Sequence, residues 1–258
     1  MSESRVGVCF AGGDAEADRA RQLAAELALP VVDCDDASFA LVLEVTPQRL
    51  QTHRPGSKMG PVFCDFVGGP LGFRRRIGAE QSGMLARAVG WKRQPLKVVD
   101  ATAGLGRDAF MLALLGCEVT AVERSPVLFA LLRDGLERAM REPEIAEALG
   151  GRLRLVHADG RQYLSSVRHD EIPGAGVVYL DPMFPERRKS AQVKKEMVLC
   201  RLAAGEDEDA DELLAAALAA GVHRIAVKRP LHAPPLGGPP PTLAMKGTAV
   251  RFDVYIQA

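Results

Sequence analysis

Short apolar runs alternate with amphipathic stretches along the chain from about residue 78 onward. Short continuous apolar runs indicate buried strands, whereas apolar residues recurring every three or four positions indicate helices. The predicted strands are 96–101, 117–123, 152–159, 176–181, 224–229 and 249–257, and the predicted helices are 79–90, 107–116, 126–140, 161–167 and a helical region over 191–220. This alternation predicts an α/β fold with a mostly parallel sheet and helices on both faces. Because a proline-rich loop precedes the last strand, we expect that strand to pair antiparallel with its predecessor.

The first part of the chain predicts a small α/β unit of its own. The pattern indicates strands at 5–11, 30–34 and 39–46, and an amphipathic helix over 14–29 that Asp14 could cap. A polar connector, 51–60, follows, and 61–76 reads loosely as a strand and a loop. We therefore predict an N-terminal subdomain over residues 1–55 and a main domain over residues 56–258.

Composition narrows the class of protein. Hydrophobic residues make up 47% of the 258 residues, enough for a real core. The N-terminus lacks the pattern of a signal peptide, and no apolar run has membrane-spanning length. The five cysteines are scattered without a C-x-x-C pair and the five histidines show no ligand spacing, so we expect no disulfide, no metal and a cytoplasmic location.

Charge is balanced overall but uneven along the chain, with 33 basic and 33 acidic residues. The acidic run 206–212 is typical of a solvated face. Basic clusters occur at 74–76, 187–189, 194–195 and 228–229. The cluster 74–76 is compatible with an RNA contact or with a solvated face.

A glycine-rich loop, D-A-T-A-G-L-G-R-D-A-F, follows the predicted strand 96–101 and opens a helix. Gly104 and Gly106 permit a tight turn and close approach of a ligand to the backbone, and the helix N-terminus offers free N–H groups. With Glu123 at the end of the next strand as a ribose-binding acid, the loop fits two adenosyl ligands, a dinucleotide or S-adenosylmethionine.

Acidic residues favour S-adenosylmethionine over a dinucleotide. Asp100 and Asp108 flank the loop and suit an ammonium and a sulfonium better than phosphates. Asp159, after the third strand of this series, could accept a hydrogen bond from an adenine amine. Since ligands bind at the carboxyl ends of parallel strands, Asp100, Glu123, Asp159 and Asp181 should converge there, although each alone could be a helix cap.

The stretch D-P-M-F-P, residues 181–185, differs from the other strand ends. Two prolines stiffen the backbone around Asp181, and Phe184 follows as an aromatic at the crevice. The stretch resembles the (D/N)-P-P-(F/Y) motif of class I methyltransferases that act on planar nitrogens, with Met183 in place of the middle proline. In that motif the acid binds the target amine and the ring stacks on the base, so Asp181 and Phe184 are the candidate catalytic residues.

The cations that follow predict a phosphate-binding surface. Residues 181–201 contain six basic and three acidic residues, and a net positive segment beside a base-handling loop is typical of nucleic-acid binding. Candidate substrate contacts are Arg187, Arg188, Lys189, Lys194, Lys195, Lys228 and Arg229.

Six stretches together strongly resemble the ribosomal RNA small subunit methyltransferase J family: F-V-G-G-P, V-V-D-A-T-A-G-L-G-R-D-A-F, Y-L-D-P-M-F-P, V-K-K-E-M, V-K-R-P and K-G-T-A-V-R-F-D-V-Y. The similarity covers about residues 60 to 256. It implies a Rossmann-like class I methyltransferase fold with a seven-stranded sheet, S-adenosylmethionine as cofactor, and methylation of the exocyclic N2 of one guanosine in small-subunit ribosomal RNA, as free RNA or in the subunit. It also implies cofactor contacts at Gly104, Gly106, Arg107, Asp108, Glu123, Arg124, Asp159, Gly160 and Asp181.

Three other functions remain open on the sequence. An NAD-dependent oxidoreductase would explain the glycine loop but leaves 181–185 unexplained. A non-catalytic RNA-binding assembly factor could keep the fold, although the acid set argues for activity. A DNA adenine methyltransferase would use a similar motif, but it carries asparagine there and has a separate recognition domain.

Overall fold

The computed structural model describes residues 5–68, 83–92, 94–166, 176–183, 194–204 and 209–257, with side chains of the helix 194–204 described from 198 to 203. Ten strands lie in these ranges: β1 (Val6–Phe10), β2 (Leu41–Val45), β3 (Leu50–His53), β4 (Lys97–Asp100), β5 (Glu118–Glu123), β6 (Leu153–His157), β7 (Val177–Leu180), β8 (Arg224–Pro230), β9 (Leu243–Lys246) and β10 (Val250–Ile256). The helices described are α1 (Asp14–Leu27), α2 (Met84–Ala88), α3 (Arg107–Leu114), α4 (Pro126–Ala139), α5 (Pro143–Leu149), α6 (Gly160–Ser166), α7 (Lys194–Ala204) and α8 (Ala210–Ala219).

The main sheet has seven strands in the order β6-β5-β4-β7-β8-β10-β9. All neighbours from β6 to β8 are parallel, whereas β10 is antiparallel to both β8 and β9. The chain reverses its direction of travel across the sheet between β4 and β7, which is where open α/β sheets bind their ligands. The predicted Rossmann-like fold and the antiparallel last strand are confirmed.

Local sequence explains why the central strands and helices form where they do. Each residue of β7 is buried, as expected for a strand covered by helices on both faces. The helix α4 begins at Pro126 because the Ser125 hydroxyl accepts a hydrogen bond from the Leu128 amide at 3.3 Å, and proline suits the first helical position.

Some predicted elements differ from the structure. Residues 30–34 form only one bridge, Val31 to Val8, although Val32 and Cys34 pack against the buried Cys9 and Val42. In α1 the cap is Gly13, whose amide donates to Glu16 at 2.9 Å, so Asp14 is the first helical residue and not the cap. The strand β3 lies at the start of the predicted connector, and α5 and β9 were not predicted, since elements of four to seven residues are too short to show a clear periodicity.

The prediction that the cysteines are unpaired is wrong for one pair. The structure joins Cys9 to Cys34 by a disulfide, with 5.3 Å between their Cα atoms. Twenty-five positions separate the two residues, so their spacing gave no sign of pairing. They meet because the segment after α1 returns alongside β1 through the Val31 bridge.

The three-stranded sheet β1-β2-β3 packs on the main domain through α4. One hydrophobic cluster contains Leu41 and Leu43 of β2 together with Leu131 and Leu132 of α4. At the surface, Arg133 of α4 donates to both carboxylate oxygens of Glu26 in α1, at 2.7 and 2.8 Å. A single hydrophobic core therefore continues from the N-terminal unit into the main domain.

Candidate functional site

The glycine loop makes the turn between β4 and α3 in a left-handed conformation. Gly104 has φ +54° and Gly106, which precedes the first helical residue, has φ +71°. A Cβ on Gly106 would lie 2.3 Å from a methyl of the buried Leu132, so this position has room for glycine only. A Cβ on Gly104 would meet nothing closer than the Thr102 carbonyl at 4.0 Å, and the space above this peptide is open.

The loop rests on the segment that follows β3. The Cys64 thiol donates to the Leu105 carbonyl at 2.9 Å, and the ring of Phe66 stacks on Phe110 of α3 with 4.3 Å between centroids. Burial raises the pKa of Cys64 well above its ordinary value, so the thiol stays protonated and remains a donor. These contacts hold the glycine loop in position against the segment that follows β3.

Glu123 ties the glycine loop to the end of β5. One carboxylate oxygen accepts a hydrogen bond from the Gly104 amide at 2.7 Å, and the other accepts from the Ser125 amide at 2.7 Å. The side chain is 5% exposed. The predicted ribose-binding acid thus also holds the loop that would contact the cofactor.

Asp100 is buried at the carboxyl end of β4, near three other acids. Burial raises its pKa well above the ordinary range, and the nearby Asp108, Asp181 and Glu123 carboxylates raise it further. The Thr102 amide donates to Asp100 Oδ1 at 3.1 Å and opposes that shift. The structure therefore brings together three of the four strand-end acids that were predicted to converge, Asp100, Glu123 and Asp181. The fourth neighbour is Asp108 of α3 and not the predicted Asp159.

Asp159 faces away from this group, toward the start of α6. Its carboxylate accepts bonds from the amide and the guanidinium of Arg161, at 2.8 to 3.1 Å. The Arg161 side chain lowers the pKa of Asp159 to about 2. Arg161 also forms ion pairs with Asp209 and Glu212, so Asp159 helps to join α6 to α8 through Arg161. These contacts are those of a residue that caps the start of a helix, which was the alternative reading of Asp159. Its role in binding the cofactor remains a prediction.

Asp181 belongs to a hydrogen-bonded chain that crosses three elements. Lys228 Nζ in β8 lies 2.8 Å from Asp181 Oδ2 and 2.8 Å from Asp108 Oδ2 in α3. The Tyr179 hydroxyl donates to Asp108 Oδ2 at 2.5 Å, and the Asp181 amide donates to Thr102 Oγ1 at 2.6 Å. The sequence had predicted Lys228 as a phosphate contact, and it did not indicate Tyr179 or Thr102. The only hint of these two residues was a hydroxyl close to an aspartate at the end of a strand.

The predicted phosphate contacts Lys228 and Arg229 need correction. Lys228 is held by two carboxylates, and Arg229 is 2% exposed and donates to the Pro234 carbonyl. Successive residues of a strand point to opposite faces of the sheet, so the two cannot form one exposed pair. The described structure does not support either as a phosphate contact.

The remaining predicted site residues have other positions and contacts, or they lie outside the described structure. Arg107 opens α3, Arg124 Nη1 lies 2.8 Å from Asp209, and a Cβ on Gly160 would lie 2.5 Å from the Ala101 carbonyl, so Gly160 packs under the end of β4. Outside the described residues or side chains are Phe184, Arg187, Arg188, Lys189, Lys194, Lys195 and the cluster 74–76.

The crevice fits a cationic adenosyl ligand. Asp100, Asp108, Glu123 and Asp181 lie near one another beside the glycine loop, and two of them, Asp108 and Asp181, already neutralise Lys228. Such a set attracts an ammonium and a sulfonium and repels a pyrophosphate. The open space above Gly104 allows the ligand to approach the loop backbone.

Two absences hold for the described ranges. No helix among the described residues is both long and apolar enough to cross a membrane. Those same residues contain no group of three or more His, Cys, Asp and Glu side chains placed to hold a metal ion.

Comparisons with known proteins agree with this geometry. A family model described as "Putative SAM-dependent methyltransferase" matches residues 22–257. A solved structure of a SAM-dependent methyltransferase from Neisseria gonorrhoeae is 27% identical, covers 97% of this chain and 95% of its own, and superposes with a TM-score of 0.72.

Curated relatives are similar over nearly their whole length. A protein from Thioalkalivibrio sulfidiphilus is 47% identical over 99% of both chains, and one from Pseudomonas aeruginosa is 49% identical over 93% of this chain and 90% of its own. Both are called ribosomal RNA small subunit methyltransferase J. S-adenosylmethionine, and not a dinucleotide, is the cofactor that these matches support. The chain is thus a SAM-dependent methyltransferase and belongs to the ribosomal RNA small subunit methyltransferase J family.

Proposed function

We propose that this protein methylates the exocyclic N2 amine of a guanosine in small-subunit ribosomal RNA. The observation that carries the proposal is the placement of Asp181. Its side chain, 37% exposed, stands at the carboxyl end of β7, next to β4, whose carboxyl end leads into the glycine loop. The names of the curated relatives supply the RNA class.

The chemistry gives Asp181 a defined task. The lone pair of a base amine is delocalised into the ring, so the nitrogen is a weak nucleophile. A carboxylate that accepts a hydrogen bond from one N–H makes the nitrogen more electron-rich and orients its lone pair. When bound, S-adenosylmethionine supplies an electrophilic methyl on a sulfonium.

The remaining groups hold this arrangement in place. The Asp181 amide is fixed by Thr102 Oγ1 at 2.6 Å, which locks the backbone at the end of β7. Glu123 fixes the Gly104 amide of the cofactor loop. In methyl transfer the amine would lose one proton, which Asp181 or water would accept, while the bound cofactor would supply the methyl group and keep the electron pair of its carbon–sulfur bond.

Arg187, Arg188, Lys189, Lys194 and Lys195 remain our candidates for holding the RNA backbone, on their charge and on their position directly after Asp181 in the chain. Phe184 remains the candidate for stacking on the base. Gly104, Gly106, Arg107, Asp108, Glu123, Arg124, Asp159, Gly160 and Asp181 remain the proposed cofactor-binding residues.

The proposal is tested by methyl transfer in vitro. Small subunits and naked small-subunit ribosomal RNA, both from a strain that lacks this methyltransferase, are incubated with methyl-labelled S-adenosylmethionine. The RNA is then digested to nucleosides and separated by mass. We expect N2-methylguanosine from the wild type and a rate about 10²–10³-fold lower from Asp181→Ala, which removes the acceptor altogether.

A matched control separates chemistry from folding. Asp18→Asn removes a carboxylate from the exposed face of α1, far from the crevice, and should leave the rate unchanged. Calorimetric titration with S-adenosylmethionine should show binding to the wild type that is lost in Glu123→Ala. A labelled nucleoside other than N2-methylguanosine, or no label in either substrate, would refute the proposed function.

A further inference from the structure

Lys228 was expected at the RNA surface, yet its ammonium lies inside the crevice between two acids. The register of β7 and β8 pairs Leu180 with Val227, so the next residues along both strands, Asp181 and Lys228, stand side by side. The ammonium is 2.8 Å from an oxygen of Asp181 and 2.8 Å from an oxygen of Asp108. One cation therefore bridges two carboxylates that would otherwise repel each other.

The far end of this bridge is rigid. Asp108 accepts the Tyr179 hydroxyl at 2.5 Å, and Tyr179 is fully buried in β7. Burial, helped by the Asp108 and Asp181 carboxylates, raises the pKa of Tyr179 well above its ordinary value, so the hydroxyl remains a donor. Tyr179 thus anchors the Asp108 carboxylate, and through it Lys228 has a fixed position.

The Lys228 ammonium keeps its positive charge, so the bridge between Asp108 and Asp181 is stable. Burial alone would lower the pKa of Lys228, but the Asp108 and Asp181 carboxylates outweigh burial and raise it above its ordinary value. The ammonium is therefore charged throughout the working pH range. A charge-assisted hydrogen bond of this kind is short and about twice as strong as a neutral one.

We propose that Lys228 is a positioning residue for Asp181, fixing its Oδ2 atom and keeping the carboxylate ionised so that it can accept a hydrogen bond from the target amine. This inference rests on the proposed function of Asp181. It assigns Lys228 to the chemistry of methyl transfer and removes it from the RNA-binding surface.

The first test compares Lys228→Met, Lys228→Arg and a matched control, Lys97→Met. Lys97 is exposed at the amino end of β4, on the edge of the sheet opposite the crevice. We expect Lys228→Met to lower kcat about 10- to 100-fold, because a misplaced reacting group costs about that much. Lys228→Arg should recover part of this loss, and Lys97→Met should match the wild type.

The affinity for S-adenosylmethionine separates positioning from a merely structural role. Removing the ammonium leaves the crevice more negative, so a cationic cofactor should bind to Lys228→Met at least as tightly as to the wild type. A structural role would weaken cofactor binding and kcat together. Weaker binding with a parallel loss of kcat would overturn the proposal, as would an unchanged kcat.

A second test is independent of turnover. The titration of the Asp181 carboxyl is followed by carbon-detected NMR, and its resonance is assigned as the one missing in Asp181→Asn. The charged or titratable groups that face it are Asp100 of β4, Asp108 of α3, Tyr179 of β7 and Lys228 of β8. Loss of the cation should move the midpoint upward, because a nearby positive charge favours the ionised carboxylate.

The two tests distinguish the two ideas. If the wild type labels no ribosomal RNA, the proposed function fails, and the NMR titration still decides whether Lys228 controls Asp181. If the wild type is active but the Asp181 midpoint is the same in Lys228→Met, the positioning role is refuted and the proposed function stands.

Discussion

Replacement of Gly106 by alanine tests whether the glycine loop is as tightly constrained as its geometry indicates. Gly106 has φ +71°, and an added Cβ would lie 2.3 Å from Leu132 Cδ1 and 3.3 Å from Phe66 Cζ. Both neighbours are fully buried, so neither can move aside without disturbing the core. The substitution therefore combines backbone strain with overpacking.

The two costs can be separated by a matched control. Gly151 has φ +73° and a Cβ there would meet nothing within 4 Å, so Gly151→Ala carries the backbone cost alone. That cost is about 1–2 kcal/mol for an L-residue in the left-handed region. Overpacking of a well-packed core adds about 1–3 kcal/mol. We expect Gly106→Ala to lose about 2–5 kcal/mol of unfolding free energy, against about 1–2 kcal/mol for Gly151→Ala.

The assay is urea unfolding of the three proteins, followed by far-UV circular dichroism and analysed by linear extrapolation. Comparable slopes would show that the same surface unfolds in each. If Gly106→Ala is no less stable than Gly151→Ala, the packing of Leu132 and Phe66 against the loop does not constrain it, and this account of the turn is wrong.

Three further predictions concern the polar contacts. Tyr179→Phe removes the hydroxyl that donates to Asp108 and should cost about 1.5–3 kcal/mol in urea unfolding, the range for a bond to a charged group; a loss near zero would contradict the anchoring of Asp108. Arg161 holds the pKa of Asp159 at about 2 in the folded protein, below the unfolded value of about 3.9, so this carboxylate stabilises the fold above about pH 4 and the contribution is lost as the pH falls toward 2. Asp159→Asn should therefore lower the urea midpoint at pH 7 and by about half as much at pH 3, and an equal effect at both pH values would count against the ion pair. The Arg133–Glu26 pair is largely exposed, so a double-mutant cycle with alanine should give a coupling below about 1 kcal/mol; a larger value would mean that the pair is shielded from water.

The sequence was sufficient for the main sheet because its strands are continuous apolar runs separated by clear helical periods. The strand β7 and the helix α4 were predicted nearly to the residue. Elements without that contrast were missed: β3 is half polar, and β9 is an exposed edge strand. Periodicity reports burial, so it says little about an element that buries few side chains.

The candidate site was predictable where its residues follow strands. Asp100, Glu123 and Asp181 converge because parallel strands end at one edge, which the chain order alone indicates. The contacts of the Lys228 and Arg229 side chains were not predictable, because their partners come from α3, from the end of β7 and from the loop after β8. Ion pairs between distant segments depend on tertiary packing, and a charge cluster in the sequence does not reveal it.

The continuous core beneath α4 has a consequence for how the protein loses its structure. Since Leu41 and Leu43 share their packing with Leu131 and Leu132, melting the three-stranded sheet would expose apolar surface on α4 as well. The helix α4 in turn begins right after Glu123, which holds the cofactor loop. We therefore expect damage to the N-terminal sheet to reach α4 and, through Glu123, the glycine loop.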